Sequence, residues 1–105
     1  MNKTITITYL SGSKKGQNFS FNSSTLSSLS IGRGQNNQIV FVGQEYAGVS
    51  RKHCTMHYCD GLTETDGKAY FYLEDHSTNG TYVDGNKLLN DKIKLNDGHV
   101  ISFAK

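Results

Sequence analysis

The chain has 105 residues, enough for one domain but too few for a second core or a large enclosed active site. Hydrophobic residues make up only 35%, and the longest apolar run, residues 39–42, is far short of the ~20 residues of a membrane-spanning helix. Eleven basic against nine acidic residues leave a formal charge of +2, too small an excess to argue for nucleic acid.

In chain order, Thr4-Ile5-Thr6-Ile7-Thr8-Tyr9 alternates perfectly and predicts a strand with Ile5, Ile7 and Tyr9 on one face. Residues 17–21 alternate in the same way after Gly16. The Ser/Thr-rich stretch 23–30 reads as a loop running into a short strand that ends at Ile31. Residues 38–42 and 52–59 read as further strands, the second with Cys54, Met56 and Tyr58 on one face. Residues 68–75 form a strand rich in Tyr and Phe. Thr81-Tyr82-Val83 lies between Asn79-Gly80 and Asp84-Gly85, both tight-turn signals. Short strands at 93–95 and 100–103 flank an Asp97-Gly98 turn. No stretch carries apolar residues at helical spacing over three turns. About ten short strands broken by eleven glycines and no proline predict an all-β sandwich or barrel.

The two cysteines, Cys54 and Cys59, fall on opposite faces of one strand, so no bridge between them is expected. Without a basic–apolar leader at the start, this thin cysteine usage favours a reducing, intracellular compartment.

The chain's only two arginines are the most informative residues. Arg33 lies between Gly32 and Gly34, and Arg51 lies between Ser50 and Lys52. A guanidinium offers a planar fork of donors that fits phosphate or carboxylate oxygens in pairs. Flanking glycines let backbone approach an anion closely. A third stretch, Asp75-His76-Ser77-Thr78-Asn79-Gly80-Thr81, adds hydroxyls and an amide on a turn. Three such loops predict an anion site at one end of the sandwich, although ordinary solvated turns would carry the same residues.

Taken in order, Ile31-Gly32-Arg33, Asn37-Gln38-Ile39, Val49-Ser50-Arg51-Lys52-His53, Leu73-Glu74-Asp75, Ser77-Thr78-Asn79-Gly80-Thr81 and Leu95-Asn96-Asp97-Gly98 resemble a forkhead-associated (FHA) domain. The resemblance runs from the first strand almost to the last residue. It implies a β-sandwich of ten to eleven short strands, with one domain over residues 1–105, that recognises phosphothreonine peptides through loops at one end. It further implies that Arg33, Ser50, Arg51 and Thr78 contact the phosphate, Ser50 through both its hydroxyl and its N–H. Asn79 would bond the peptide backbone. Gly32, His53 and Gly80 would support the site: Gly32 by letting the backbone turn, His53 by tying two loops together, and Gly80 by permitting its own turn.

The expected partner is a phosphothreonine-containing protein or peptide. No nucleic acid, membrane, metal or cofactor is expected, and the oligomeric state is open. Two departures from the family pattern stand out. The family usually has a further strand after residues 100–103, so either the sequence given is cut short of that strand or the strand is missing and an edge of the sheet is left open. The 41–48 connection is also longer than usual, and its Glu45 and Tyr46 could shape sequence preference.

Other readings make distinct demands. A Ser50–His53–Asp75 triad would need those side chains hydrogen-bonded in series. A metal site at His53, His57 and Cys59, with Cys54 nearby, would lack the spacing of zinc motifs. Single-stranded nucleic acid would need exposed aromatic rings among bases. A phosphate-independent scaffold would use a sheet face or the open edge.

Overall fold

Alternation places Ile5 and Ile7 of β1 (Thr4–Thr8) on the inner face, and the strand pairs antiparallel with β2 (Asn18–Asn22). The outward positions are joined by short polar contacts, among them the Thr6 and Ser20 hydroxyls at 2.9 Å. A computed structural model describes residues 4–10, 14–24, 27–61, 67–96 and 98–103. The side chain of Glu45 and the expected Asp97–Gly98 turn fall outside that description, as does part of the 23–30 loop.

The remaining strands are β3 (Ser28–Gly32), β4 (Ile39–Val40), β5 (Cys54–Cys59), β6 (Tyr70–Asp75), β7 (Thr81–Val83), β8 (Asn86–Leu88), β9 (Lys92–Lys94) and β10 (Ile101–Ser102). Hydrogen bonding groups them into a five-stranded sheet β4-β3-β5-β6-β9, a three-stranded sheet β10-β7-β8, and the β1-β2 pair. The five-stranded sheet turns Leu29, Ile31, Cys54, Met56, Phe71 and Leu73 inward as its buried face. Ile5, Ile7, Ile101 and Phe103 pack against it from the other side, together with the buried Val83. This is the expected sandwich, and Cys54, Met56 and Tyr58 share the expected face.

Three elements differ from the sequence-based expectation. The strand expected over 38–42 shrinks to Ile39–Val40. The Gln38 side chain caps Ser30 instead, its Oε1 accepting the Ser30 amide at 2.8 Å and hydroxyl at 2.6 Å, and Val42 is left exposed. A single 3-10 turn, Gln44–Tyr46, follows Gly43, whose φ of 123° is open to glycine alone without strain. β8 has no apolar alternation to announce it. It exists because the Asp84-Gly85 turn, with φ of 50° and 83°, folds it back onto β7.

The topology brings three loops to one end: β3–β4 (residues 33–38), β4–β5 (residues 41–53) and β6–β7 (residues 76–80). Among the described residues, β1 pairs with β2 and β10 with β7.

Candidate functional site

The β3–β4 and β4–β5 loops are clasped by their backbones. The Arg33 amide donates to the Ser50 carbonyl (3.0 Å), and the Gly34 amide donates to the Arg51 carbonyl (2.9 Å). The Asn37 amide side chain reinforces the clasp by donating to the carbonyls of Gly34 (2.8 Å) and Arg51 (2.6 Å). Gly32 is needed for this close approach. A Cβ there would collide with the Arg51 carbonyl oxygen and lie 2.8 Å from its carbon and 2.9 Å from the Ser50 oxygen. Its φ is not positive, so the expectation that Gly32 serves to turn the backbone is corrected: it makes room for a neighbouring chain.

The β6–β7 loop is built around Asp75, only 3% exposed. Its Oδ1 accepts the Ser77 hydroxyl (2.6 Å), the Thr81 hydroxyl (2.7 Å) and the Ser77 amide (3.3 Å), while Oδ2 accepts the Asn90 amide (2.9 Å). The Ser77 oxygen in turn accepts the Gly80 amide at 2.7 Å. Burial pushes the Asp75 carboxyl up, but the hydrogen bonds from Ser77, Asn90 and Thr81 outweigh it and hold the group below the ordinary carboxylate range. Gly80 has φ of 97°, a backbone conformation that favours glycine, and the flexible Lys87 side chain passes 2.8 Å from where a Cβ would stand.

His53 locks the second and third loops together. It is fully buried, its Nδ1 accepts the Ser50 amide (3.0 Å), and its Nε2 lies 3.0 Å from the Gly80 carbonyl. An acceptor at Nδ1 and a carbonyl at Nε2 require the neutral ring with its proton on Nε2. Burial favours that neutral form and lowers the histidine's pKa, against the opposing pull of the Gly80 bond and the Asp75 charge. Phe103 packs edge-on against the ring at 5.3 Å.

These supports leave a specific set of donors facing outward. The Ser50 oxygen accepts the Thr78 amide at 3.0 Å, which frees the Ser50 hydroxyl hydrogen to donate elsewhere. Arg33 anchors its Nε on the Val49 carbonyl and keeps both terminal nitrogens available. Arg33, Ser50, Arg51, Thr78 and Asn79 all line one cleft of about 380 Å³, with Ala47, Gly48 and Val49 completing the wall. No acidic side chain is among these lining residues. Two guanidiniums, two hydroxyls and a carboxamide around a cleft that no acidic side chain lines among the described residues form a cradle for a compact multivalent anion.

All five expected ligand-facing residues are therefore brought together, and His53, Gly32 and Gly80 support them from behind. One implied contact is not available: the Ser50 N–H is committed to His53 and cannot also bind an anion. Sequence reasoning passed over Asp75, Ser77 and Thr81 as builders of the third loop, and Asn37 as a clasp. The Asp-x-Ser and Ser-x-x-Gly spacings are turn signals that would have found the former. Tyr46 rests on Phe41 with ring centroids 4.9 Å apart, so it props the 41–48 connection.

The triad is not assembled. Ser50 meets His53 through its amide, its hydroxyl engages Thr78, and the Asp75 carboxylate bonds Ser77, Thr81 and Asn90. His57 bonds Glu74 at 3.0 Å while both ring nitrogens of His53 are taken by Ser50 and Gly80, and no metal-binding group of three or more ligands occurs among the described residues. Most aromatic rings pack in or against the core.

Residues 29–104 match the FHA domain family. The Caenorhabditis elegans protein "Germ layers disorganized gldi-3" is 35% identical over 82 residues, covering 71% of this chain and 8% of that protein. The chain thus spans under a tenth of the length of that curated relative. An FHA domain solved for a structural and functional analysis of phosphothreonine-dependent interactions is similar at TM-score 0.71 and 28% identity, covering 97% of this chain and 88% of its own. The FHA domain of MEK1 in complex with a HOP1 phosphothreonine peptide is similar at TM-score 0.59 and 28% identity over 72% of each chain.

Proposed function

The chain belongs to the FHA domain family, and from that premise we propose that it is a single-domain, non-catalytic module binding phosphothreonine-containing segments of intracellular partner proteins. The observation that carries this reading is the convergence of Arg33, Ser50, Arg51, Thr78 and Asn79 on one cleft. The terminal nitrogens of Arg33, the Arg51 guanidinium and the hydroxyls of Ser50 and Thr78 take the phosphate oxygens. The Asn79 carboxamide bonds the peptide backbone beside the phosphothreonine. Gly32, His53 and Gly80 act through the loops they hold.

A phosphate carries roughly −1.5 to −2 charges at pH 7 and three strong acceptor oxygens. Hydrogen bonds to charged groups contribute about 1.5–3 kcal/mol each. Peptide ordering and desolvation offset much of that. A micromolar dissociation constant, about −8 kcal/mol, is the expected range for a good peptide. Selection of phosphothreonine over phosphoserine rests on burying one methyl group, about 1 kcal/mol and up to ~3 where packing is close.

The test is calorimetric titration with three degenerate peptide pools carrying phosphothreonine, phosphoserine or unmodified threonine. Binding confined to the phosphothreonine pool, or at least several-fold tighter for it, is expected. Equal binding of the unmodified pool would contradict the assignment.

A further inference from the structure

The chain contains a single Asn-Gly pair, Asn79-Gly80, and its asparagine stands on the cleft. Asparagine is a thermolabile residue. The backbone nitrogen of the residue that follows can attack its carboxamide carbon and close a five-membered ring. A following glycine has no Cβ to obstruct that approach. Asn79 is exposed, so its carboxamide is open to solvent and to the ring closure alike.

The attacking nitrogen is the restrained partner. Gly80 is buried, and its amide donates to the Ser77 hydroxyl oxygen at 2.7 Å. That hydroxyl donates in turn to Asp75 Oδ1 at 2.6 Å, which turns its lone pairs toward the amide. Beyond the glycine, its carbonyl meets His53 Nε2 at 3.0 Å. Ring closure requires the Gly80 nitrogen to lose its proton and swing toward the Asn79 side chain. It must leave Ser77 first. The Asp75–Ser77–Gly80 chain therefore shapes the loop and also keeps the nucleophile away from its target.

We propose that Asn79 is a site of spontaneous deamidation that switches the cleft off, and that the Ser77 hydroxyl sets the rate by holding the Gly80 amide. The Gly80 nitrogen gives its proton to solvent base and bonds to Asn79 Cγ. The side-chain nitrogen leaves as ammonia, and a succinimide remains. One water opens that ring at either carbonyl, giving aspartate or isoaspartate. The net change is asparagine plus water to the acid plus ammonia, with no oxidant or reductant. Either product sets a carboxylate on a cleft lined by Arg33 and Arg51 and removes the N–H donors of the carboxamide. The new charge repels a phosphate of roughly −1.5 to −2 and competes with it for the two guanidiniums. Isoaspartate also lengthens the main chain just before Gly80, against its bonds to Ser77 and His53. The switch rests on the phosphothreonine reading above; the chemistry at Asn79 does not.

The test incubates the 105-residue chain at mildly alkaline pH and follows deamidation at Asn79 by peptide mapping and mass. Ser77→Ala frees the Gly80 amide. Thr81→Val removes another bond to Asp75 but leaves Gly80 on Ser77, and so controls for lost stability. The chain unfolded in urea gives the unrestrained rate. The folded wild type should react at least tenfold more slowly than the unfolded chain. Ser77→Ala should react at least about fivefold faster than both the wild type and Thr81→Val, as expected for one hydrogen bond lost. Deamidated protein, separated by ion exchange, should bind a phosphothreonine peptide at least tenfold more weakly than the unmodified fraction. A Ser77→Ala rate equal to that of the wild type or of Thr81→Val would overturn the role of Ser77. Asn79 left intact even in the unfolded chain would overturn the site. Equal affinity of the two fractions would overturn the switch alone. An unmodified fraction that binds no phosphothreonine peptide would overturn the phosphothreonine reading and the switch with it, while the order of rates would still stand on mass.

Discussion

Replacing Asp75 with asparagine should cost about 3 kcal/mol of stability at pH 7. The carboxylate is 3% exposed and accepts four hydrogen bonds, three on Oδ1 and one on Oδ2. Asparagine has nearly the same shape but exchanges one acceptor for a donor. With the new NH2 group at the Oδ2 position, one bond is lost and the Asn90 amide faces another donor. The reverse orientation sets the NH2 group against three donors and is worse. One charge-assisted bond is worth about 1.5–3 kcal/mol, and the surviving bonds weaken when the charge goes. Relief from burying a charge returns part of this. A loss of ~3 kcal/mol corresponds to a Tm drop of about 12–24 °C for a domain of this size. Because Asp75 is held below its ordinary pKa in the fold, its contribution is complete above the unfolded value of ~3.9 and disappears as pH falls through the lower folded value. Urea unfolding of both proteins across pH should therefore show a gap that is full at pH 7 and narrows below pH ~4. A gap under ~1 kcal/mol at pH 7, or one that stays constant into strong acid, would refute the hub assignment.

Three further outcomes are expected. Gly32→Ala should force the Arg51 carbonyl away, cost at least ~2 kcal/mol of stability by chemical denaturation, and weaken phosphopeptide binding; an unchanged midpoint would show that the two loops can part freely. His53 is held neutral with its pKa lowered, so the unfolded chain takes up a proton there as pH falls through ~6.5 while the fold does not. Stability should decline below that pH and the decline should vanish in His53→Gln; equal slopes in both proteins would exclude the imidazole. Arg33→Ala should weaken phosphothreonine-peptide binding by ~2–5 kcal/mol, and Arg51→Ala by less, because both side chains are exposed but only Arg33 is held by a backbone anchor, on the Val49 carbonyl; calorimetry that reverses this order would reverse their roles.

Much of this was legible in the residues. The alternation of Ile5 and Ile7, and of Met56 with Cys54 and Tyr58, carries its own facing, because a strand's side-chain period is two. The pairing of Arg33 and Arg51 with small hydroxyl and glycine neighbours marked the cleft. What stayed hidden depends on partners distant in sequence. Gly32 reads as a turn residue until the Arg51 carbonyl is seen against it. The Ser50 amide reads as a free donor until His53 Nδ1 is found on it. Asp75 offered no local sign of its bond to Asn90, fifteen residues on. β8 is too polar to announce itself, and β4 begins only at Ile39, after a Gln38 whose side chain is drawn to Ser30.

The central claim is that a phosphothreonine peptide is held by the three loops at one end of the sandwich. Amide chemical shifts of the isotope-labelled domain, followed as such a peptide is added, test it most directly. The account predicts large, saturable changes at residues 33–34, 49–51 and 78–80, absent with the unphosphorylated peptide and abolished in Arg33→Ala. Changes confined to the outer sheet face, or equal changes with the unphosphorylated peptide, would contradict it.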